Sequence, residues 1–230
     1  MYHSVGDPSD DPYGITVAPE RLDRQLRWLN HRGLTGVGVG PLLRARAAGR
    51  AHGLVGLTFD DGYADFTELA LPLLKRHECT ATLFVLPGRL GGENAWDPLG
   101  PRKPLLTEAG IRAAAAAGME IGSHGQYHQD LTATSDDVLR EETRGSRALL
   151  REMTGIAPQG FCYPYGTVDR RTVDAVRNAG YTYGCAIDPG PLGSTHALPR
   201  AHVSQADRAL RLGTKRLLHG CRQLTRGGNR

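Results

Sequence analysis

Short apolar segments alternate with helical patterns along the chain, and this alternation restricts the fold more than any other feature. Residues 54–59 form an apolar run, residues 65–77 have helical spacing, and residues 80–85 are β-branched and aromatic, as in a strand. Parallel neighbouring strands need a crossover connection, usually a helix. The succession therefore predicts an α/β fold with a parallel sheet.

The same succession extends over most of the chain. Further strands are expected at 34–39, 119–121, 161–163, 181–186 and 197–203, and helices from Pro19 to Gly33, at 41–48 and 107–117, between Thr134 and Gly155, and at 169–179. About seven strands with polar residues at their carboxyl ends favour an irregular (β/α) barrel over an open sheet. We expect one domain, with the barrel in residues 1–204 and a basic helix and tail in residues 205–230.

Two adjacent carboxylates, Asp60 and Asp61, follow the apolar run directly. Aspartates in a turn are commonly helix caps or solvated loop residues. In α/β folds, however, the carboxyl ends of strands are where ligands bind. His124 and His128 follow another short strand, and two histidines four residues apart can meet one cation. One aspartate and two histidines, with positions left for water and substrate, predict a catalytic metal site.

Three stretches, in this order, resemble the motifs of the polysaccharide deacetylases, also known as NodB-homology or carbohydrate esterase family 4 proteins. They are Thr58–Gly62, His124-x-x-x-His128 and Gly160–Gly166. The resemblance covers roughly residues 1–203. It implies a (β/α)7-type barrel and an enzyme that removes the acetyl group from an N-acetylated amino sugar.

The resemblance implies that Asp61, His124 and His128 bind the metal and that Asp60 is the general base. This ligand set suits zinc, and it leaves cobalt, nickel and manganese open, because geometry and supply decide which metal is bound. A bound divalent cation polarises a carbonyl and lowers the pKa of water.

The leaving amine also needs a proton donor. Relatives take this histidine from a late strand or, in a circularly rearranged subgroup, from an early one. The opening Tyr2-His3-Ser4-Val5 resembles that subgroup and favours His3, and His202 is the second candidate.

In the third motif, Tyr165 follows Pro164, and the resemblance makes the Tyr165 backbone N–H a donor to the oxyanion. Trp96 lies in a Gly- and Pro-rich loop, where it could stack on a sugar or pin its own loop. Many relatives carry Arg where Cys162 stands here, and Arg200 is a hypothetical replacement.

A second departure from the family pattern lies in the metal loop, where Gly125 replaces a usual Ser or Thr. The two departures leave open a barrel that binds metal and sugar without turnover. An amidase of a small acylated nitrogen compound is another alternative. A zincin-like peptidase is disfavoured, because Gly125 stands where that motif needs its glutamate.

Composition narrows the partners. The net charge is +4. No apolar run reaches the roughly 18 residues that a membrane span needs, and no export signal is visible, so a cytoplasmic location is expected.

The four cysteines show no C-x-x-C spacing and are expected to be small core residues. Nucleic-acid binding is not expected, because no aromatic interleaving or known module is present. The basic residues near the C-terminus are interpreted as a solvated helix face or a site for an acidic partner: Arg208, Arg211, Lys215, Arg216, Arg222, Arg226 and Arg230.

Overall fold

The structure, a computed structural model, describes the backbone of residues 1–227 and the side chains of residues 1–218. Its strands are β1 (Ser4–Val5), β2 (Thr16–Val17), β3 (Thr35–Val37), β4 (Leu54–Gly56), β5 (Thr58–Phe59), β6 (Thr82–Val85), β7 (Glu120–Ser123), β8 (Gly160–Cys162) and β9 (Tyr183–Cys185). All pairings between them are parallel. Strands β5 to β9 form one sheet in chain order, and β1–β2 and β3–β4 form two small sheets.

Helices occupy the connections between the strands. They are α1 (Pro19–Asn30), α2 (Val39–Ala47), α3 (Leu71–Arg76), α4 (Glu108–Ala116), α5 (Asp136–Arg140), α6 (Ser146–Thr154), α7 (Arg170–Asn178) and α8 (Ala209–Gly227). The π-helical segment Phe66–Ala70 precedes α3, and the π-helical segment Glu141–Gly145 joins α5 to α6. Side chains cap several helices as the sequence suggests; the Thr107 hydroxyl, for example, accepts from the Gly110 N–H at the start of α4.

The N-terminal segment adds a neighbour to β5. The Tyr2 N–H donates to the Thr58 carbonyl at 2.8 Å, and the Asp60 N–H donates to the Tyr2 carbonyl at 3.0 Å. These bonds place His3 directly beside the end of β5, where the two aspartates lie.

Residues 197–203 add a neighbour on the other side. Leu198 forms an isolated parallel bridge with Cys185 of β9, and the Val203 N–H donates to the Met1 carbonyl at 2.9 Å. The five-stranded sheet, residues 197–203 and the N-terminal segment thus form a ring of seven extended segments, which confirms the barrel. The ring brings distant parts of the chain to one edge.

Three strand predictions need correction. The strand predicted at 54–59 is divided at Leu57 into β4 and β5, which belong to different sheets. Residues 197–203 do not form a continuous strand, since only single bridges and bonds join them to their neighbours. The strand predicted at 34–39 ends at Val37, because Gly38 is the N-cap of α2 and Val39 is already helical.

The barrel interior is filled by a small apolar cluster of Val39, Phe84, Cys162, Tyr183 and Cys185. Larger clusters lie between the strands and the surrounding helices. Cys79, Cys162 and Cys185 are all free and buried, which confirms the prediction that they are core residues. The side chain of Cys221 lies outside the described residues.

The predicted basic segment contains α8. The side chains of Arg222 and Arg226, and Arg230 as a whole, lie outside the described residues. None of the helices in residues 1–227 is long and apolar enough to cross a membrane.

Gly160 in β8 tests the packing of this interior. A Cβ atom at this position would lie 2.2 Å from the Tyr183 ring. We expect Gly160→Ala to lower the free energy of unfolding by about 1–3 kcal/mol through overpacking. A Cβ atom at Gly6 would meet no other atom within 4 Å. Gly6→Ala should therefore change the free energy of unfolding by less than about 0.5 kcal/mol. Equal denaturant midpoints for the two variants would contradict this packing.

Candidate active site

The site lies at the turn after β5, where Asp60 and Asp61 are both buried. The backbone of Asp61 is left-handed, with φ 71°, and Gly62 follows with φ 71°. His128 and Tyr165 share this uncommon conformation, with φ 64° and 58°. Positive φ is unfavourable for residues with a Cβ, and such strain clusters at functional sites. Three of the four non-glycine residues with positive φ in residues 1–227 thus lie together here.

Asp61 meets the two predicted histidine ligands. Its Oδ1 lies 3.1 Å from Nε2 of His124 and 3.4 Å from Nε2 of His128. These donor atoms all lie within 4.8 Å of one another, and the three side chains are buried. Burial raises the pKa of Asp61, but the contacts with His124 and His128 outweigh it and hold that pKa well below its usual range. Asp61 is therefore an anion.

The orientation of these groups fits a metal ion. Nδ1 of His124 lies 2.8 Å from the Cys162 carbonyl, so the ring donates there and turns the lone pair of Nε2 towards Asp61. When both imidazoles are neutral, as metal ligands must be, buried Asp61 Oδ1 has no hydrogen-bond donor among the described residues. Buried polar atoms normally have a partner. An orphaned carboxylate oxygen that faces two imidazole nitrogens is what a divalent cation would satisfy.

Asp60 is bound differently. Its Oδ1 accepts from Arg200 Nη1 at 2.7 Å, and the same guanidinium donates to the Thr58 hydroxyl at 3.0 Å and to Cys162 Sγ at 2.9 Å. Burial by itself raises the pKa of Asp60, but the charge of Arg200 outweighs it and the pKa falls to about 2. Arg200 thus reaches the position predicted for it and keeps Asp60 ionised.

A second set of possible donors, Asp60, His124 and Cys162, also converges. It suits a metal less well. Arg200 already occupies Asp60 and Cys162, and burial raises the pKa of the Cys162 thiol, whereas a ligating cysteine is a thiolate. The set built on Asp61 is the better candidate metal site.

His3 and His202 lie side by side, with ring centroids 5.8 Å apart. His3 Nδ1 and His202 Nε2 are buried without a hydrogen-bond partner in the described part of the chain. Burial lowers the pKa of His3, while the charges of Asp61 and Asp60 oppose that shift. Burial also lowers the pKa of His202, to about 4, and the next cause is the charge of His3. Of the two rings, His3 is the one whose pKa the charges of Asp60 and Asp61 raise.

The third motif forms a tight turn at Pro164–Gly166. The Tyr165 ring lies edge-on to His128 at 4.6 Å, and about half of the side chain is exposed. The turn therefore lies beside the metal-site candidates. Pro164 is buried beneath it.

Trp96, which was predicted to contact a sugar or to pin its own loop, stacks on His128. The two ring centroids lie 4.5 Å apart, and the rings are nearly parallel. The loop itself is closed by a different residue. Buried Asn94 accepts from the Lys103 N–H at 2.7 Å and donates to the Pro101 carbonyl at 3.4 Å. Asn94 thus supplies hydrogen bonds that close the loop, and Trp96 packs on the His128 ring.

Glu142 is a site residue that sequence reasoning missed. It is fully buried in the π-helical segment, and its Oε2 accepts from the backbone N–H groups of Gln126 (2.7 Å) and Tyr127 (3.1 Å). A Cβ atom at Gly125 would lie 2.5 Å from this oxygen, and φ at Gly125 is 81°. Gly125 is therefore required here, because the carboxylate of Glu142 occupies the space that a side chain would need.

The sequence and the fold of this chain both resemble those of known proteins. The profile of a family described as "Polysaccharide deacetylase" matches residues 48–184. YxkH of Bacillus subtilis (strain 168), whose name assigns it to the polysaccharide deacetylases, is 26% identical over 209 residues, which are 89% of this chain and 70% of YxkH. Chitin deacetylase of Colletotrichum lindemuthianum is 32% identical over 146 residues, which are 61% of this chain and 48% of that protein.

Among solved structures, the Streptococcus pyogenes deacetylase PplD in complex with acetate superposes with a TM-score of 0.81. The alignment covers 94% of this chain and 95% of PplD at 24% identity. At that identity, the likeness establishes the fold.

Glu142 provides one test of the site. We expect Glu142→Ala to leave two buried N–H groups without an acceptor and to lower the free energy of unfolding by about 2–5 kcal/mol. Exposed Glu141 accepts from the Gln126 side chain instead, so Glu141→Ala should cost less than about 1 kcal/mol. Urea unfolding measures both. Similar losses would show that Glu142 does not support the loop.

Asp61 provides a second test. Loss of a residue that only hydrogen-bonds to a metal ligand typically lowers metal affinity by roughly 10–100-fold. Because Asp61 would bind the metal directly, we expect Asp61→Asn to weaken zinc binding by more than that. Competition with a chromogenic chelator measures the affinity. Asp97→Asn is the matched variant, because Asp97 bonds to Tyr63 at 3.3 Å but is not one of the converging groups. Unchanged affinity in Asp61→Asn would remove it from the ligand set.

Proposed function

Because this chain belongs to the polysaccharide deacetylase family, we propose that it is a metal-dependent hydrolase that removes the acetyl group from an N-acetylated amino sugar. The observation that supports this best is the convergence of Asp61, His124 and His128 beside a separate, ionised Asp60. Two neighbouring carboxylates in different environments are suited to two different roles.

Asp61, His124 and His128 would hold the divalent cation, and this donor set suits zinc. When bound, the cation supplies Lewis acidity to the acetamide carbonyl and lowers the pKa of water. The outer contacts of the chain orient this set: the Cys162 carbonyl fixes the tautomer of His124, and Trp96 and Tyr165 hold the ring of His128 from two sides.

Asp60 is the general base of the proposed reaction. It is ionised and hydrogen-bonded to Arg200 through Oδ1. As water adds to the acetamide carbon, Asp60 takes one of its protons. Arg200 also donates to Thr58 and Cys162, and these contacts fix the guanidinium that holds the carboxylate. It replaces, from residues 197–203, the arginine that relatives carry where Cys162 stands.

The remaining steps fall to Tyr165 and a histidine. The Tyr165 backbone N–H, in the turn after Pro164, stabilises the negative oxygen that forms when water adds. His3, in its protonated form, then gives its proton to the leaving nitrogen as the C–N bond breaks, which yields acetate and the free amine. The proton that Asp60 took from water afterwards returns the His3 ring to its protonated form. We favour His3 over His202 because the charges of Asp60 and Asp61 act on it.

The rim of the site supports this substrate class. Trp96 and Tyr165 flank His128, and Tyr127 adjoins it, with 39% of Tyr127 and 51% of Tyr165 exposed. Aromatic rings pack well on the apolar faces of sugars. The relative from Colletotrichum lindemuthianum is named a chitin deacetylase. N-Acetylglucosamine oligomers are therefore the first substrates to test.

Acetate release from zinc-loaded protein tests the proposal. With N-acetylglucosamine oligomers, we expect Asp60→Asn to lower kcat by about 10²–10⁴-fold, because the general base is lost while the hydrogen bond from Arg200 can persist. Zinc affinity should stay close to that of the wild type.

Asp136→Asn is the matched variant, since Asp136 lies on the surface in α5 and pairs with Arg171. It should keep full activity. Wild-type protein that binds zinc and releases no acetate would contradict the hydrolase and favour a binding barrel. Full activity in Asp60→Asn would remove Asp60 as the base.

A further inference from the structure

Helix α8 exposes large apolar side chains. Leu210, Leu217 and Leu218 are 88%, 72% and 57% exposed. Residues seven and eight positions apart share a helix face, so these three form one stripe. We call Leu210, Leu217 and Leu218 the leucine stripe. Exposed leucines are common singly, but three on one helix face mark a surface for interaction.

A different side of α8 is anchored to the barrel. Lys215 Nζ donates to the His202 carbonyl at 2.7 Å and to Asp207 Oδ2 at 2.5 Å. Asp207 is fully buried and also accepts from the Ser204 N–H at 2.8 Å. These bonds fix the rotation of the helix about its axis. The leucine stripe consequently faces away from the body of the protein.

Positive charge lies along one flank of the stripe. Arg208 and Arg211 are exposed on that flank, whereas Arg216 lines a cavity on the barrel side of the helix. The acid in this stretch, Asp207, is buried, paired with Lys215, and 4.0 Å from Arg211. Basic residues beside an exposed apolar face are typical of helices that lie in the interface of an anionic membrane.

We propose that α8 binds the surface of an anionic phospholipid membrane, with the leucine stripe in the interface and the arginines on the headgroups. A second copy of this chain fits the stripe less well, because a symmetric contact would bring the arginines of two helices together. An anionic surface satisfies both the apolar and the basic groups. The same helix is bonded to His202, so binding would hold the candidate active site near the membrane.

Vesicle co-sedimentation tests the proposal with the full chain. Vesicles of equimolar phosphatidylglycerol and phosphatidylcholine should bind the wild type, and vesicles of phosphatidylcholine alone should bind it weakly. Leu210→Ser/Leu217→Ser/Leu218→Ser should lower partitioning about tenfold or more. Arg208→Gln/Arg211→Gln should lower it by about 30-fold, at roughly fivefold per charge, and added salt should weaken wild-type binding.

Matched variants separate these effects from general surface changes. Ile156 is 75% exposed, like Leu217, and Arg140 and Arg177 are exposed arginines elsewhere. Ile156→Ser should bind as the wild type does, and so should Arg140→Gln/Arg177→Gln. If the triple leucine variant does not fold, the single variant Leu217→Ser and the double arginine variant of α8 test the proposal instead.

Three results would overturn the proposal. They are a wild type that does not sediment with phosphatidylglycerol vesicles, equal binding by the α8 variants, and a dimer in gel filtration that the leucine substitutions convert to a monomer. The last result would assign the stripe to a second copy of the chain. Membrane binding is measured without substrate, so it stands or falls separately from acetate release.

Discussion

The buried pair of Asp60 and Arg200 is the interaction on which the site depends. A buried carboxylate without a partner is unfavourable, and removal of one partner from such a pair typically costs about 3–5 kcal/mol. Arg200 comes from residues 197–203, which reach β5 only because the N-terminal segment lies between them. Closure of the ring and ionisation of Asp60 are therefore two aspects of one arrangement.

This pairing separates the two adjacent carboxylates. Arg200 satisfies Asp60, whereas Asp61 turns through a left-handed backbone to face His124 and His128. Each aspartate thus has its own environment although only one peptide bond separates them. The strained turn, the oriented imidazoles and the orphaned Asp61 oxygen all serve this separation.

Much of the architecture could be predicted from the sequence, because apolar periodicity and the three motifs are local. The parallel sheet and the convergence of Asp61 with two histidines follow from them. Glu142 could not be predicted, since its acceptors are backbone N–H groups brought close only by the fold. Residues 197–203 were expected to form a strand but pair through single bonds, which depend on neighbours from both ends of the chain.

The central claim is that a metal ion lies between Asp61, His124 and His128 while Asp60 stays with Arg200. X-ray diffraction from zinc-soaked crystals, with anomalous data at the zinc absorption edge, tests it most directly. The account predicts one strong anomalous peak within about 2.0–2.2 Å of Asp61 Oδ1 and of Nε2 of both histidines. A peak coordinated instead by Asp60, His124 and Cys162, or a peak at neither set, would contradict it.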